Sequence, residues 1–306
     1  MSQLPVNRTI LENSADDPTE GYNSGKSCSM EIAVKLALYA HYSERATVDL
    51  YVLFYLRKLR ELSFQICFVS NSPIPQSKEQ ELREICERVI QRDNSGYDFG
   101  MWQQALAEFS LDQIDELLLT NSSIIGPLHP LEPLWKRETL SGCDFWGLTD
   151  NDEYGNHVQS YFLVLRRQVL EHPCFPQFWR SVLPYANRQM VIQCYEVGLT
   201  SWLQQHGFRW KVIFLQEDFV CQWLSARPVT EKLKDRIRPA QLPKNTPMRL
   251  PDLLLEAGMP FLKAKLLKGG GISRQQIDPA FAMRLLEKSN LPSDLLEELR
   301  KAAYGG

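Results

Sequence analysis

Four stretches of this chain carry polar side chains at spacings that suit binding and transfer chemistry. The first is Arg92-Asp93-Asn94-Ser95-Gly96-Tyr97-Asp98-Phe99-Gly100, a guanidinium, an amide and a carboxylate set around two glycines. Glycines let the backbone approach a ligand, and a helix opening there turns its free N–H groups toward an anion. Arg92 would supply a fixed fork for phosphate, and Asn94 and Asp98 would bind ribose or sugar hydroxyls beside Gly96. The same residues also describe an ordinary turn with a helix N-cap. The second stretch ends the apolar run Leu117-Leu118-Leu119 with Thr120-Asn121-Ser122-Ser123, followed by Gly126-Pro127. Carboxylates here would hold a divalent metal against a diphosphate, whereas Asn121, Ser122 and Ser123 offer one amide and two hydroxyls. A capped turn is the plainer account. The third is His157-Val158-Gln159-Ser160-Tyr161-Phe162, whose alternation predicts a half-buried strand with His157 and Gln159 facing the same way. The fourth is Glu196, a carboxylate between Tyr195 and Val197-Gly198-Leu199. It must be either paired with a cation or poised as a base.

The elements that would position these groups follow from hydrophobic periodicity. Apolar runs at 32–39, 64–69 and 116–119 read as buried strands, with a shorter one beginning at Val89-Ile90. Helical spacing predicts helices over 49–62, 79–89 and 100–109. Further strands are expected at 144–148 and 158–165, and helices at 175–183 and 193–206. Residues 213–223 are ambiguous, and 278–304 fit two short helices around Pro292. Strands alternating with helices predict an α/β fold with a mostly parallel central sheet covered on both faces. Ligands of such sheets bind at the carboxyl ends of the strands. That rule gathers His41, Ser70-Asn71, 92–98 and 121–123 into one cluster.

Composition narrows the classes. The chain has 306 residues, 44% hydrophobic and 23% charged, with a formal net charge of -3, so no global field recruits nucleic acid. Its seven cysteines are scattered without any C-x-x-C pair, which argues against a disulfide framework or a zinc site. The opening residues are polar, with no apolar segment of a secretory signal, and no window is long enough for a spanning helix. The reading is cytoplasmic. Residues 1–29 are expected to form a flexible arm, 30–225 the main domain, and 226–306 a basic, mainly helical extension. Between Arg227 and Lys268 there are ten Lys/Arg against four Asp/Glu, a balance suited to peripheral contact with an anionic membrane face or to a solvated surface.

Taken together the motifs resemble the rhamnan synthesis protein F family. The resemblance rests on Ala40-His41-Tyr42, Phe68-Val69-Ser70-Asn71-Ser72, the 92–100 stretch, Asn121-Ser122-Ser123 with Gly126-Pro127-Leu128, and Asp144-Phe145-Trp146-Gly147-Leu148-Thr149. His157–Phe162, Tyr195-Glu196-Val197-Gly198-Leu199-Thr200 and a C-terminal echo at 253–263 complete it. It implies a GT-A-like glycosyltransferase, rhamnosyltransferase-like and inverting, using a nucleotide-sugar donor and a polysaccharide or polyprenyl-linked acceptor. It implies that His41, Ser70, Asn71, Arg92, Asn94, Gly96 and Asp98 hold the donor. It also implies that Asn121, Ser122 and Ser123 stand where family members carry an acid for Mg2+ or Mn2+. Ser122 replaces that acid, which leaves Asp98 as the candidate ligand for any metal. Glu196 is the expected base and Asp144 the second choice, with His157, Gln159 and Tyr161 lining the diphosphate or acceptor. Two other readings fit the substitution at 122: a non-catalytic nucleotide- or sugar-binding relative, and a membrane-associated assembly protein of the same pathway.

Overall fold

The computed structural model describes residues 33–226, 242–267 and 278–304. The expected N-terminal arm and part of the basic stretch, 227–241 and 268, lie outside the described residues. Eight strands form the main sheet: β1 (Lys35–His41), β2 (Phe64–Ser70), β3 (Arg88–Gln91), β4 (Glu116–Asn121), β6 (Phe145–Asn151), β7 (His157–Val158), β8 (Phe162–Arg166) and β9 (Trp210–Phe214). A small pair, β5 (Ile124–Ile125) and β10 (Leu262–Lys263), lies beside it. The order is β3-β2-β1-β4-β8-β6-β7, with β9 on the free side of β6. Strand pairings make β3, β2, β1, β4, β6 and β9 run one way, while β7 and β8 run against them. The sheet is therefore mixed and mostly parallel, as the alternation of elements predicts.

Both faces of the central strands are buried, and the two-residue period sorts their side chains. Ala37 and Tyr39 of β1, Ile66 and Phe68 of β2 and Leu118 of β4 enter one apolar cluster. Leu36 and Leu38, Cys67 and Val69, and Leu117 and Leu119 enter the other. Helix α1 (Leu50–Glu61) covers the first face with Val52, Leu53, Tyr55, Leu56 and Leu59. Helix α2 (Gln76–Ile85) joins it at the edge through Leu82 and Ile85. Helix α3 (Tyr97–Leu106) covers the second face with Phe99 and Trp102, the Trp102 indole N–H donating to the carbonyls of Leu38 (3.0 Å) and Thr120 (3.2 Å).

The C-terminal residues share the first cluster. Leu254, Phe261, Leu262, Leu286, Leu295 and Leu299 are buried with α1 and the sheet. Helices Pro279–Glu287 and Ser293–Tyr304 bracket Pro292 as the sequence predicts. Two elements differ from the sequence reading. The ambiguous region resolves into β9 and a helix, Gln216–Ala226, because β9 is a sheet edge whose half-exposed residues lack a clean apolar run. The single strand expected over 158–165 is broken into β7 and β8. At the break the chain crosses closely over β6: a Cβ at Gly147 would lie 2.3 Å from Val158 Cγ1 and 2.9 Å from the Phe162 carbonyl. The break falls after Gln159, whose N–H still donates to the Thr149 carbonyl at 3.0 Å, in register with the pairing of His157 opposite Asn151.

Gly126 sets the seat of β10. Its φ is +147° and a Cβ there would lie 2.4 Å from the Pro260 carbonyl, which accepts from the Leu128 N–H at 2.8 Å. Gly126→Ala is expected to cost about 2–4 kcal/mol by forcing 260–263 away from β5. Denaturant unfolding checks this, and a loss under about 1 kcal/mol would mean that the segment relaxes freely.

Candidate active site

The carboxyl ends of the six co-directional strands form one polar edge in an otherwise apolar sheet. At that edge lie His41, Ser70, Asn71, Asn121 and Asn151, all nearly inaccessible to solvent. Chain order runs from β1 outward to β2 and β3, then returns to β4 on the other side of β1. The crevice between the ends of β1 and β4 is thus the point where strand order reverses, the place where open α/β sheets bind ligands.

On the β1–β3 side the predicted donor residues hold one another. The Ser70 hydroxyl donates to the Ser72 carbonyl at 2.7 Å and accepts from the His41 imidazole at 2.9 Å. Burial lowers the His41 pKa to about 4, so this ring is neutral at physiological pH. Asn71 Oδ1 is buried without a partner among the described residues. Arg92 lies under the first turn of α3, one guanidinium nitrogen donating to Ser95 Oγ at 3.2 Å and another, Nη1, buried without a partner among the described residues. A Cβ at Gly100 would stand 2.9 Å from that Nη1, so the glycine makes room for the arginine. Gly96 takes the left-handed conformation at the N-cap (φ 70°), and Asn94 is exposed on the same loop.

Asp98 follows in the first turn of α3. Its Oδ2 accepts from Asn121 Nδ2 at 2.8 Å, which ties α3 to the end of β4. Burial, and then the negative charge of Glu196, raise its pKa to about 6. Asn121 Oδ1 accepts from the Ser123 backbone N–H (3.1 Å) and hydroxyl (2.6 Å), and Ser122 Oγ accepts from the Tyr42 N–H (3.3 Å) across the crevice.

The other wall comes from the loop between β7 and β8 and from the segment Ile192–Val197. That segment makes wide i to i+5 turns, a departure that often marks a working site. It aims Glu196 at Ser160, whose backbone N–H and hydroxyl both donate to Oε1 at 2.7 Å. Among the described residues nothing bonds the second oxygen of Glu196. The Tyr161 hydroxyl donates to Thr149 Oγ1 (2.7 Å), which donates to Gln159 Oε1 (2.7 Å). His157 donates from Nδ1 to the Gly155 carbonyl at 2.7 Å, leaving Nε2 buried and unpartnered among the described residues.

One group that the sequence reading does not anticipate closes the site. Lys263, on β10, places its ammonium 3.5 Å from the centroid of the Tyr161 ring and 3.3 Å from Ser123 Oγ. Burial lowers its pKa to about 7, while Glu196 and Asp98 draw it up and Arg188, at the start of a short helix, presses it down. Its signal in the sequence is a cation in the apolar run Met259–Leu262, followed by Ala264, but the partner residue is 140 positions away. The structure thus gathers His41, Ser70, Asn71, Arg92, Gly96, Asp98, Asn121, Ser122, Ser123, Gln159, Tyr161 and Glu196 on one edge, with His157 opposite Asn151 beside them. Asp144 is not among them. It precedes β6 at the opposite edge, accepting from the Arg209 backbone N–H (2.7 Å) and Gln168 (3.0 Å). Burial alone would raise its pKa, but these bonds and the charge of Arg209 hold it below the usual carboxylate range.

The donor set at β4 does not fit a divalent cation. Asn121 Oδ1 and Ser122 Oγ already accept hydrogen bonds, and an ammonium stands beside Ser123. Asp98 gives one oxygen to Asn121, and among the described residues no group of three His, Cys, Asp or Glu is arranged to hold a metal.

Residues 66–303 match the family described as rhamnan synthesis protein F. Virulence protein VirA of Vibrio anguillarum is 28% identical over 203 residues, covering 62% of this chain and 65% of its own length. Uncharacterized protein y4gN of Sinorhizobium fredii is 26% identical over 195 residues, covering 62% and 51% respectively. The chain thus spans less than two thirds of the length of these curated relatives. Among solved structures, the glycosyltransferase GlyE of Streptococcus pneumoniae is similar at 14% identity, over 88% of this chain and 64% of that one, with a TM-score of 0.43. Galactosyltransferase LgtC, solved with donor and acceptor sugar analogs, is similar at 11% identity over 86% of this chain and 99% of that one, with a TM-score of 0.40.

Proposed function

Because this chain belongs to the rhamnan synthesis protein F family, we propose that it is a glycosyltransferase moving a sugar from a nucleoside-diphosphate donor to a glycan or polyprenyl-linked acceptor. The observation that carries the reading is the meeting of Asp98, Glu196 and Lys263 at the crevice where strand order reverses. A base, a group for sugar hydroxyls and a cation at one sheet edge are what such a transfer requires. In this reading Arg92 Nη1 and Asn71 Oδ1, a donor and an acceptor without partners among the described residues, meet the nucleotide. Asp98 holds the donor sugar through its hydroxyls.

The reaction is a single displacement with inversion. The acceptor hydroxyl attacks the anomeric carbon while its proton passes to the free oxygen of Glu196. A new carbon–oxygen bond forms as the bond between the anomeric carbon and the β-phosphate oxygen breaks, and that electron pair leaves with the diphosphate. Gln159, Tyr161 and His157 line the diphosphate or the acceptor. The family description points to rhamnose as the sugar, and a GT-A-like arrangement accords with one mixed sheet carrying both subsites. Contact of the basic stretch 227–268 with an anionic membrane face would bring a lipid-linked acceptor within reach.

The test is thermal unfolding of the protein against a panel of nucleoside diphosphates and nucleotide-sugars. Ligand bound to the folded state raises the transition, and a concentration of roughly 100 times Kd adds about 2.7 kcal/mol. A rise of several degrees with at least one nucleotide-sugar is expected. A flat response across the panel, repeated with acceptor glycan present, would remove the donor site from the reading.

A further inference from the structure

We propose that Lys263 takes the place of a divalent metal ion, its ammonium meeting the donor diphosphate so that binding and transfer proceed without any metal. The inference rests on the transferase reading above and adds the identity of the charge that receives the leaving group.

Three observations converge on it. The first is position. The diphosphate of a ligand in the reversal crevice lies against the ends of β1 and β4, and Lys263 Nζ stands 3.3 Å from Ser123 Oγ, just past the end of β4. Its backbone is anchored there independently of any ligand, through β5 (Lys263 opposite Ile124) and by the Ala264 N–H donating to the Ser123 carbonyl at 2.9 Å. The second is the donor set. Where a carboxylate would draw a cation from solution, this chain has Ser122, and its hydroxyl accepts from the Tyr42 N–H. The third is the ammonium's own surroundings. Among the described residues no ion-pairing contact holds it; its close neighbours are the Tyr161 ring at 3.5 Å and one hydroxyl. A lysine stem buried for structure alone would extend its charge to water or to a carboxylate. This ammonium is kept short of full pairing, at the place where negative charge develops in the transfer.

The electrostatics make the device depend on its ligand. Burial brings the Lys263 pKa down to about 7 in the free protein. The charged groups that act on it are Glu196 from the wide-turn segment and Asp98 from α3, which raise the pKa, and Arg188, which lowers it; the Tyr161 ring and Ser123 complete the contact. A diphosphate adds negative charge at the same place, so binding favours the protonated lysine. Affinity is then highest below about pH 7 and weakens as pH rises through that value.

Titration calorimetry of the full chain with UDP, dTDP and GDP, and with the matching nucleoside monophosphates, tests this in EDTA and in Mn2+. The proposal expects at least one diphosphate to bind equally in both. It expects Lys263→Met to weaken that diphosphate about 30-fold or more, while the monophosphate changes less than about threefold. Lys263→Arg, which keeps the charge, should recover most of the loss. Circular dichroism and the melting temperature of each variant establish that it is folded. Diphosphate binding that needs Mn2+, or that survives Lys263→Met, overturns the role of Lys263 and leaves the transferase reading intact. Absence of binding by every nucleotide in the wild-type protein overturns both.

Discussion

Glu196→Gln should lower the rate of sugar transfer by about 10²–10⁴-fold, the usual contribution of a general base, with little change in nucleotide affinity. The substitution isolates proton transfer from structure. The Gln amide oxygen can still accept from the Ser160 N–H and hydroxyl, which in the wild type reach Glu196 Oε1 at 2.7 Å each, so the β7–β8 loop keeps its anchor. What disappears is the basicity of the second oxygen. Glu196→Ala differs, because it also strands two Ser160 donors and should reduce stability by about 1–3 kcal/mol. Initial rates with the donor found by thermal unfolding measure the effect. A Gln variant turning over at the wild-type rate would take the base role away from Glu196.

Asp98→Asn should stabilise the protein while weakening donor binding. The Asp98 carboxyl has its pKa raised from 3.8 to about 6, by burial first and by Glu196 second. A folded-state pKa above the unfolded one means that the stabilising protonated form is complete below pH 3.8 and lost as pH rises through about 6. Near pH 8 the charged group therefore costs the fold about 2–3 kcal/mol. The asparagine of the variant carries no charge, and its carbonyl oxygen can accept from Asn121 Nδ2 as Asp98 Oδ2 does at 2.8 Å. Unfolding free energy at about pH 8 should exceed that of the wild type by up to about 3 kcal/mol, and the gap should nearly vanish at about pH 4. A gap of the same size at both pH values would show that charge is not its origin. A residue that strains the fold in this way, at the edge where open α/β sheets bind their ligands, is best explained by use.

Much of this arrangement is legible from residue order. The apolar runs within Leu36–Ala40, Phe64–Val69 and Leu117–Leu119 mark strands buried on both faces, and the two-residue period then sends alternate side chains into the two clusters. Strands alternating with helices make a mostly parallel sheet, and the polar residues at strand ends then fall on one edge. His41, Ser70, Asn121 and the 92–98 loop could be grouped for that reason. Asp144 could not be judged so, since a residue just before a strand and one just after it look alike in sequence; strand direction alone sends Asp144 to the far edge.

What required the tertiary structure is everything that depends on long-range approach. β8 runs against its neighbours and is cut from β7 where the chain crosses Gly147, and neither fact has a local signal. Lys263 comes to Ser123 across 140 residues through a two-residue ladder, β10 on β5, seated by the close approach of Pro260 to Gly126. A pair that short carries no recognisable pattern, and its register follows from the packing of Phe261 against Tyr55 and Phe162. Residue types alone determined that the chain would offer carboxylates, amides and hydroxyls at a sheet edge, with a serine at position 122. That a lysine faces that edge was decided by core packing, because only the folded chain brings a distant ammonium within reach of the end of β4.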